Sequence, residues 1–422
     1  MMRTVRKIGA IATVAVTAML AGGTSSALSR PATRTADVVR TAYLMTTPDT
    51  AAGTVPVTSP CPSQPVSLPE THVPASGLVE VDVGTHKRFH PVRVLPLDNP
   101  QAATFAGGDL YVSYAPAGPL AGLRVERVDP KTGVVARSPW FPGYYNSPPV
   151  VAFGAVWMIA GLCEQQIVRM DQATLAVTMR VAIGKNLDTG PPVASDGALW
   201  LSSTVFARLE RLNPHTGHIS TVVLPEMAPN SQVVGITSGP DSGYLYVSVL
   251  NQNVAHSQVT ERFDPATGTF FVVPTPPFEL TRVIGVAGDI LWVIQGGGIM
   301  DHFAPFSTTS LASLSCARAV TCALAGINGT ITGRVGDGLF AFEHVGGTEA
   351  GHGSLLLDCI GGPRVSTVAR LQLPSDFAST GDPVVLPSLL AFGDGYLATL
   401  ARVGTSGGSG VAIFPLDPRC AL

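Results

Sequence analysis

The sequence predicts an all-β fold, a seven-bladed β-propeller in which each blade is a four-stranded antiparallel sheet. The first observation is a marker that joins an apolar residue to an aromatic one and recurs at spacings of 43 to 57 residues. A period near this size, with several short strands per unit, is typical of propeller blades. The seven markers are Leu110-Tyr111, Val156-Trp157, Leu199-Trp200, Leu245-Tyr246, Leu291-Trp292, Leu339-Phe340 and Tyr396-Leu397.

Two turn signatures repeat together with the marker. The turn before the marker appears as Gly107-Gly108-Asp109, Phe153-Gly154-Ala155, Ser195-Asp196-Gly197, Asp241-Ser242-Gly243, Gly288-Asp289, Gly336-Asp337-Gly338 and Gly393-Asp394-Gly395. The second turn follows the third strand of each unit, as Asp129 to Gly133, Asp171 to Thr174, Asn213 to Gly217 and Asp264 to Gly268. In the fifth and sixth units we expect it, in altered form, at Phe303 to Pro305 and at Asp358 to Gly361.

The plainest copy of the unit runs from Val193 to Gly217. An apolar strand enters the turn at Asp196, and the next strand, Ala198 to Leu201, carries Trp200. A third, alternating strand leads into the turn that begins at Asn213. Both turns consist of residues that adopt positive φ or form side-chain turn bonds, so this stretch predicts two successive hairpins.

The two ends of the repeat region are expected to form one blade together. A half unit, Leu78 to Asp82, then Thr85, then Phe89 to Leu97, precedes the first complete unit. The last unit begins at Leu389 and ends with Val411 to Asp417. N-terminal strands that complete this last blade would close the ring and remove the edges between blades. Eight blades result if the two halves do not merge.

The N-terminus has the pattern of an export signal. Arg3, Arg6 and Lys7 precede an apolar run of 14 residues, Ile8 to Ala21, and Ser25 to Ala27 offer small residues for cleavage. A stable membrane span needs about 20 apolar residues, so none is expected after cleavage. We therefore divide the chain into a signal peptide at 1–27, a disordered tether rich in Pro, Ser and Thr at 28–74, and the propeller at 75–422.

Cysteine usage agrees with export, since an even number of cysteines in an exported chain predicts disulfides. Cys61 and Cys420 could join the chain ends, and Cys316 and Cys322 could close a small loop. The pairing of Cys163 and Cys359 stays open, with free thiols as the alternative. Charged residues make up 13% of the chain and the formal charge is −3, which does not favour nucleic acid as a partner.

At the markers and turns the chain resembles the secreted bacterial propellers of the YVTN, NHL and streptogramin-lyase-like group. Blades of that group share a Gly-x-Leu-Trp/Tyr turn and strand, a gap, and an alternating strand that ends in Asp-Pro-x-Thr-Gly. The resemblance covers roughly residues 76 to 418. It implies the fold and leaves function open, because the repeated residues form hairpins and pack blades. Trp157, Trp200 and Trp292 are accordingly expected to be structural.

Two enzymatic relatives of the fold provide specific tests. Quinoprotein dehydrogenases carry Asp-x-x-Thr-Gly with a Trp shortly after, and Asp129, Thr132 and Gly133 match this pattern. Trp140 lies further from Gly133 than that family places it, so no quinone is expected. Streptogramin lyases hold magnesium with histidine and acidic residues. No such spacing occurs among His72, His86, His90, His215, His218, His256, His302, His344 and His352, so neither metal nor cofactor is expected.

The remaining catalytic candidates lie in the fifth and sixth units. Glu343, His344 and His352 belong to residues 343–354, which are expected to be a loop between the second and third strands. Asp301 and His302 are a similar pair in the fifth unit. The alternative is that both segments are ordinary solvated loops.

A second set of candidate binding residues precedes the first strand of each blade, where the chain of a propeller passes closest to the central axis. Side chains there would form a neutral polar ring at the channel mouth, suited to a small polar ligand. Ordinary turn residues before a strand are the alternative. The ring would contain Asn99, Asn146, Asp188, Asn230, Arg282 and Asn328.

These observations predict an exported, monomeric propeller that acts as a binding or protein-interaction module of the cell envelope or the extracellular space. Its partner would be a protein, a glycan or a small polar ligand. The alternative is a lyase- or lactonase-like enzyme that uses a metal or acid-base site on one face, built from the candidates of the fifth and sixth units.

Overall fold

A computed structural model gives the fold for part of the chain. Residues Val38–Leu422 form one compact unit, and Met1–Asp37 are assigned to another, which lies outside the described residues together with the expected signal peptide. The described residues are 39–41, 44–45, 92–97, 99–115, 122–141, 148–161, 165–183, 192–203, 208–224, 231–239, 243–251, 257–274, 280–296, 301–314, 331–336, 339–346, 354–361, 366–373, 389–403 and 408–415.

Twenty-nine strands form seven antiparallel sheets within these residues. Blade 1 contains β4 (Pro100–Ala106), β5 (Asp109–Tyr114), β6 (Arg124–Asp129) and β7 (Gly133–Arg137). Blade 2 contains β8 (Val150–Ala152), β9 (Ala155–Ala160), β10 (Gln166–Asp171) and β11 (Val177–Ala182). Blade 3 contains β12 (Val193–Ser195), β13 (Ala198–Ser202), β14 (Arg208–Leu212) and β15 (Ile219–Val223). Blade 4 contains β16 (Ser231–Ser238), β17 (Leu245–Asn251), β18 (Ser257–Asp264) and β19 (Thr269–Val272).

The last three blades follow the same order. Blade 5 has three strands among the described residues, β20 (Leu280–Ala287), β21 (Ile290–Gly296) and β22 (Asp301–Ser307). Blade 6 contains β23 (Ile331–Gly336), β24 (Leu339–Gly346), β25 (Ser354–Gly361) and β26 (Ser366–Leu373). Blade 7 contains β27 (Leu389–Gly393), β28 (Tyr396–Val403), β29 (Gly408–Pro415) and, as its fourth strand, β3 (Arg93–Pro96). All seven predicted markers lie on second strands.

The seven sheets form a closed ring. The first strand of each blade contacts the first strand of the next, and β27 of blade 7 contacts β4 of blade 1. The N-terminal strand β3 pairs with β29, from Arg93 opposite Ile413 to Pro96 opposite Gly410. The predicted propeller and its closure by an N-terminal strand are therefore confirmed, with seven blades in the described part of the chain.

Two short strands extend the outer sides of blades 3 and 4. β1 (Val39–Thr41) pairs with β19, and β2 (Leu44–Met45) pairs with β15, so each of these sheets has five strands. Both strands come from the segment expected to be a tether. Apart from them, residues 28–74 lie outside the described part of the chain.

The predicted hairpin turns have the expected geometry. In the turn between β12 and β13, Asp196 and Gly197 have φ values of 47° and 66°, as a two-residue turn with two positive φ values requires. In the turn after β14, the Asn213 side-chain oxygen accepts hydrogen bonds from the backbone N–H groups of His215 and Thr216. Asp129, Asp171 and Asp264 cap the equivalent turns of blades 1, 2 and 4 in the same way.

Three local expectations for blades 5 and 6 are wrong. Phe303 to Pro305 and Asp358 to Gly361 are not turns but lie within β22 and β25, which pair with neighbouring strands through these residues. In blade 5 the turn comes later, where the Ser307 hydroxyl accepts a hydrogen bond from the N–H of Ser310. Glu343 and His344 are strand residues rather than loop residues, because β24 continues to Gly346.

The core consists of apolar layers between neighbouring blades. Trp157 packs with Leu199 of blade 3, and Trp200 packs with Val247 and Phe263 of blade 4. Both indole rings are no more than 1% exposed, and burying a large apolar side chain contributes about 2–3 kcal/mol. Among the described residues there are only strands and turns, and none of them forms a helix that could cross a membrane.

Candidate binding surface

The marker aromatics stand opposite arginines on the third strand in blades 1 to 4. The pairs are Tyr111 with Arg127, Trp157 with Arg169, Trp200 with Arg211 and Tyr246 with Arg262. In blades 5, 6 and 7 the residue opposite the marker aromatic is Pro305, Ile360 or Pro415.

A tyrosine marker and its arginine hold the next blade. The Tyr246 hydroxyl donates a hydrogen bond to the Thr308 carbonyl (3.4 Å), and Arg262 Nη1 donates to the carbonyls of Thr308 (2.8 Å) and Thr309 (3.1 Å). Tyr111 and Arg127 reach blade 2 in the same way, at the carbonyls of Gln172 and Ala173. We call these contacts the Tyr–Arg latches.

A tryptophan marker bonds within its own blade. The indole N–H groups of Trp157 and Trp200 donate to the carbonyls of Ala152 and Ser195, each at 3.1 Å. The guanidinium groups of Arg169 and Arg211 lie over these rings at 5.8 and 5.9 Å. The structural role predicted for Trp157, Trp200 and Trp292 agrees with their complete burial.

Only two of the six channel-mouth candidates belong to the described residues. Asn99 directly precedes β4, with a φ of 49°, and its carbonyl accepts hydrogen bonds from Gln101 Nε2 and the N–H of Ala115. Arg282 lies on β20, the first strand of blade 5, opposite Ile294. Asn146, Asp188, Asn230 and Asn328 lie outside the described residues, so the polar ring stays a prediction.

The acid and histidine candidates lie on two blades. Asp301 and His302 begin β22, the third strand of blade 5, opposite Gly296 and Gln295. Glu343 and His344 lie on β24, the second strand of blade 6. His352 is outside the described part. No group of three or more potential metal-binding side chains occurs among the residues that the structure describes.

The cysteine pairings also stay predictions. Cys359 lies on β25, opposite Ala341 and Ala369. Cys61, Cys163, Cys316, Cys322 and Cys420 lie outside the described ranges.

Three buried glutamates were not singled out by the sequence. Glu126, Glu210 and Glu261 are 2%, 5% and 0% exposed, and each directly precedes the arginine of its third strand. Successive side chains of a strand point to opposite faces of the sheet. Arg127 and Arg262 face the next blade, so the glutamates before them face the preceding blade. The signal that could have revealed them is the Glu-Arg pair repeated in blades 1, 3 and 4, since ion-forming residues in a buried strand need specific partners.

Glu126 belongs to a group of side chains that is special to blade 1. Its Oε1 accepts hydrogen bonds from the Tyr114 hydroxyl (3.0 Å) and from Arg137 Nε (2.7 Å). Trp140 is half-buried and meets the Tyr114 ring edge-on at 5.7 Å, and the Arg124 guanidinium lies 5.2 Å from the centre of the Trp140 ring. We call these five residues the Trp140 cluster.

The cluster lies against blade 7. Trp140 packs on the apolar layer that contains Val112 of blade 1 and Val411 of blade 7. A bridge between Leu123 and Phe141 fixes the chain next to Trp140. This approach requires Gly122, since a Cβ there would lie 2.7 Å from the Phe141 carbonyl oxygen.

The two carboxylate oxygens of Glu126 differ in their surroundings. Oε2 is buried and has no hydrogen-bond partner among the described residues, whereas Oε1 has two donors. Burial raises the pKa of Tyr114, and the charge of Glu126 raises it further, so the phenol remains a donor. In blade 3, Glu210 has a partner on each oxygen, since Thr221 donates to Oε2 and Arg208 Nε lies 2.9 Å from Oε1.

The Trp140 cluster therefore combines a partly accessible aromatic ring, two guanidinium groups and a buried carboxylate. Arg137 keeps 44% of its side chain exposed, so the cluster reaches the surface. With two positive charges and one negative charge, it has a net positive charge.

No protein-family model matches the chain, and no curated protein matches it. Similar solved structures include BamB from Moraxella catarrhalis, 14% identical with a TM-score of 0.44 over 76% of this chain and 86% of that chain. Another is cobalt-substituted ACO from Synechocystis, 12% identical with a TM-score of 0.37 over 55% of this chain and 63% of that chain. Structural similarities this distant give no evidence about function. The propeller architecture of this chain follows from its own strand pairing and closed ring.

Proposed function

We propose that this protein is an exported binding module of the cell envelope or extracellular space, and that it binds a partner protein through the Trp140 cluster. The observation that carries the proposal is the half-buried Trp140 with the Arg124 guanidinium over its ring, in one cluster with the partly exposed Arg137. Trp, Tyr and Arg are the residues enriched at the energetic centres of protein interfaces.

The charge of the cluster selects the partner. Two guanidinium groups face one carboxylate, so an acidic segment is favoured over a basic one. A partly exposed aromatic ring adds apolar contact area at low entropic cost. The partner that fits is a protein segment with acidic side chains.

Intrinsic fluorescence tests this proposal. The chain has four tryptophans, and Trp157, Trp200 and Trp292 are at most 1% exposed, so a ligand at Trp140 should dominate any change in emission. We expect a saturable change on titration with an acidic decapeptide, and a much smaller one with a lysine peptide of the same length. Salt should weaken the response, because the attraction is between exposed charges.

The matched variants are Arg124→Ala and Arg211→Ala, which remove the same charge from the Trp140 cluster and from blade 3. Arg124→Ala should weaken binding of the acidic peptide at least about tenfold, which is about 1.4 kcal/mol. Arg211→Ala should leave it unchanged. An equal response to both peptides, or an equal loss in both variants, would show that the cluster is not the binding surface.

Export is tested separately. The pattern at Arg3 to Ala27 supports cleavage close to Ala27. N-terminal sequencing of the protein recovered from the envelope fraction or the medium should begin near residue 28. Recovery of the whole protein from the cytoplasm with Met1 retained would contradict export.

A further inference from the structure

We propose that the outer edges of blades 3 and 4 form a strand-accepting site for an extended segment of a partner protein. The chain's own strands β1 and β2 occupy these edges until the partner displaces them. The two edges are the strands β15 and β19. This surface is separate from the Trp140 cluster on blade 1 and does not depend on it.

The first observation is that both edges accept an added strand. Val39, Arg40 and Thr41 pair antiparallel with Phe271, Phe270 and Thr269. On the neighbouring blade, Leu44 and Met45 pair with Val222 and Thr221. A strand that pairs through its backbone on an open sheet edge is the geometry by which many proteins bind extended segments.

The second observation is that these two edges are regular whereas others are bulged. The pairing of β14 with β15 runs through five consecutive positions without a shift, and that of β18 with β19 runs through four. The fourth strands of blades 1, 2 and 6 each contain a register shift, near Val134, Val177 and Thr367. A bulge twists an edge and blocks strand addition, so blades 3 and 4 present edges on which a strand can continue.

The third observation is that the occupant uses only part of each edge. β15 has five residues, of which two pair with β2, and β19 has four residues, of which three pair with β1. Val223, at the end of β15, is 41% exposed. A partner segment that paired along the whole edge would gain hydrogen bonds and cover this valine, and could thereby replace the shorter strand.

The chemistry of the partner follows from the edge. Its segment must be extended and free of proline, because each N–H on the paired side donates to the edge. β-Branched and aromatic residues suit the apolar surroundings of Val222 and Phe271. Residues 39–45 compete from within the same chain at an effective concentration near the millimolar range, so the site stays closed to weak ligands.

The experiment uses the full-length chain and a labelled peptide with the sequence of residues 37–47 as the probe. Arg40→Pro together with Met45→Pro removes from each added strand a backbone N–H that faces its edge, and should free both edges. Ala42→Pro, between the two strands, is the matched control. We expect the probe to bind the double variant at least about tenfold more tightly than the wild type, measured by fluorescence anisotropy.

Hydrogen exchange locates the binding. The probe should restore protection to amides of β15 and β19 in the double variant and leave β7 unchanged. The proposal is overturned if the probe binds all three proteins equally or not at all, or if it protects other strands instead. Self-association of the double variant would also overturn it, since a second copy would then be the occupant.

Discussion

At the scale of the residue, the same position in three blades has three different chemical environments. Opposite Glu126, Glu210 and Glu261 on the fourth strand stand Arg137, Thr221 and Val272. The glutamate faces the preceding blade in each case, but only in blade 1 does an arginine of the fourth strand connect it to the surface. The repeat therefore supplies a buried carboxylate, and its neighbours decide whether that carboxylate is connected to the surface.

Glu210 gives a prediction for the dependence of stability on pH. Burial raises the pKa of its carboxyl above the ordinary value, while the Thr221 hydroxyl and Arg208 oppose the shift. Between the unfolded and the raised folded pKa, the folded state binds more protons than the unfolded state, so stability should fall as pH rises through this window. Glu210→Gln removes this titration. Between about pH 4 and about pH 7 the free energy of unfolding of this variant should therefore fall less than that of the wild type, as measured by urea unfolding.

Glu126→Gln is the control, because it keeps Glu210 and should therefore keep the slope attributed to it. If Glu210→Gln and the wild type lose stability in parallel over this range, the buried carboxyl of Glu210 does not titrate as expected.

At the scale of the element, the marker strand and the third strand act as a pair. Where the marker is Tyr, the hydroxyl and the opposite guanidinium both bond to the next blade. Where it is Trp, the indole N–H bonds to the first strand of its own blade. One sequence pattern thus yields contacts between blades 1 and 2 and between blades 4 and 5, and contacts within blades 2 and 3.

The Tyr–Arg latch of blade 4 should therefore contribute more to stability than the equivalent Trp–Arg pair. Arg262→Ala removes hydrogen bonds to Thr308 and Thr309 and contacts of its guanidinium with Tyr244 and Phe271, at 4.7 and 4.9 Å. We expect a loss of about 2 kcal/mol in the free energy of unfolding. Arg211→Ala, which loses a cation–π contact with Trp200, should cost about 0.5–1 kcal/mol. Equal losses in chemical denaturation would contradict the distinction.

At the scale of the whole molecule, the ring depends on one short strand from the N-terminal side. β3 completes blade 7, and Arg93 on this strand donates hydrogen bonds to the carbonyls of Pro130 and Lys131 in blade 1. Leu95 is 5% exposed and packs in the apolar layer between blades 7 and 1. The first turns of the same two blades are linked as well, by the N–H of Gly108 and the carboxylate of Asp394.

Loss of apolar packing at this closure should weaken the fold strongly. Leu95→Ala should lower the free energy of unfolding by about 2–5 kcal/mol, because it leaves a cavity at the seam. Val92→Ala, one residue before β3 and 40% exposed, should change it by less than about 0.5 kcal/mol. The midpoint of urea unfolding measures both. Similar values for the two variants would mean that β3 does not secure the ring.

The sequence by itself determined the seven marker strands, most of the turns and the closure of the ring from the N-terminal side, and it left seven or eight blades as alternatives. These features are local, since a turn such as Asp196-Gly197 and the alternation after it act over a few residues. The same reasoning placed turns wrongly at Phe303 and Asp358, where the strands continue because they pair with a full-length neighbour.

Only the tertiary structure decided which polar residues meet. Glu126, Arg137 and Trp140 come together because β6 and β7 pair and the chain after β7 folds against blade 7. The strands β1 and β2 reach edges that lie far from them in the sequence. Contacts of this kind depend on the register and closure of whole sheets. A pattern confined to neighbouring residues carries no information about them, which is why the candidate surface emerged from the fold.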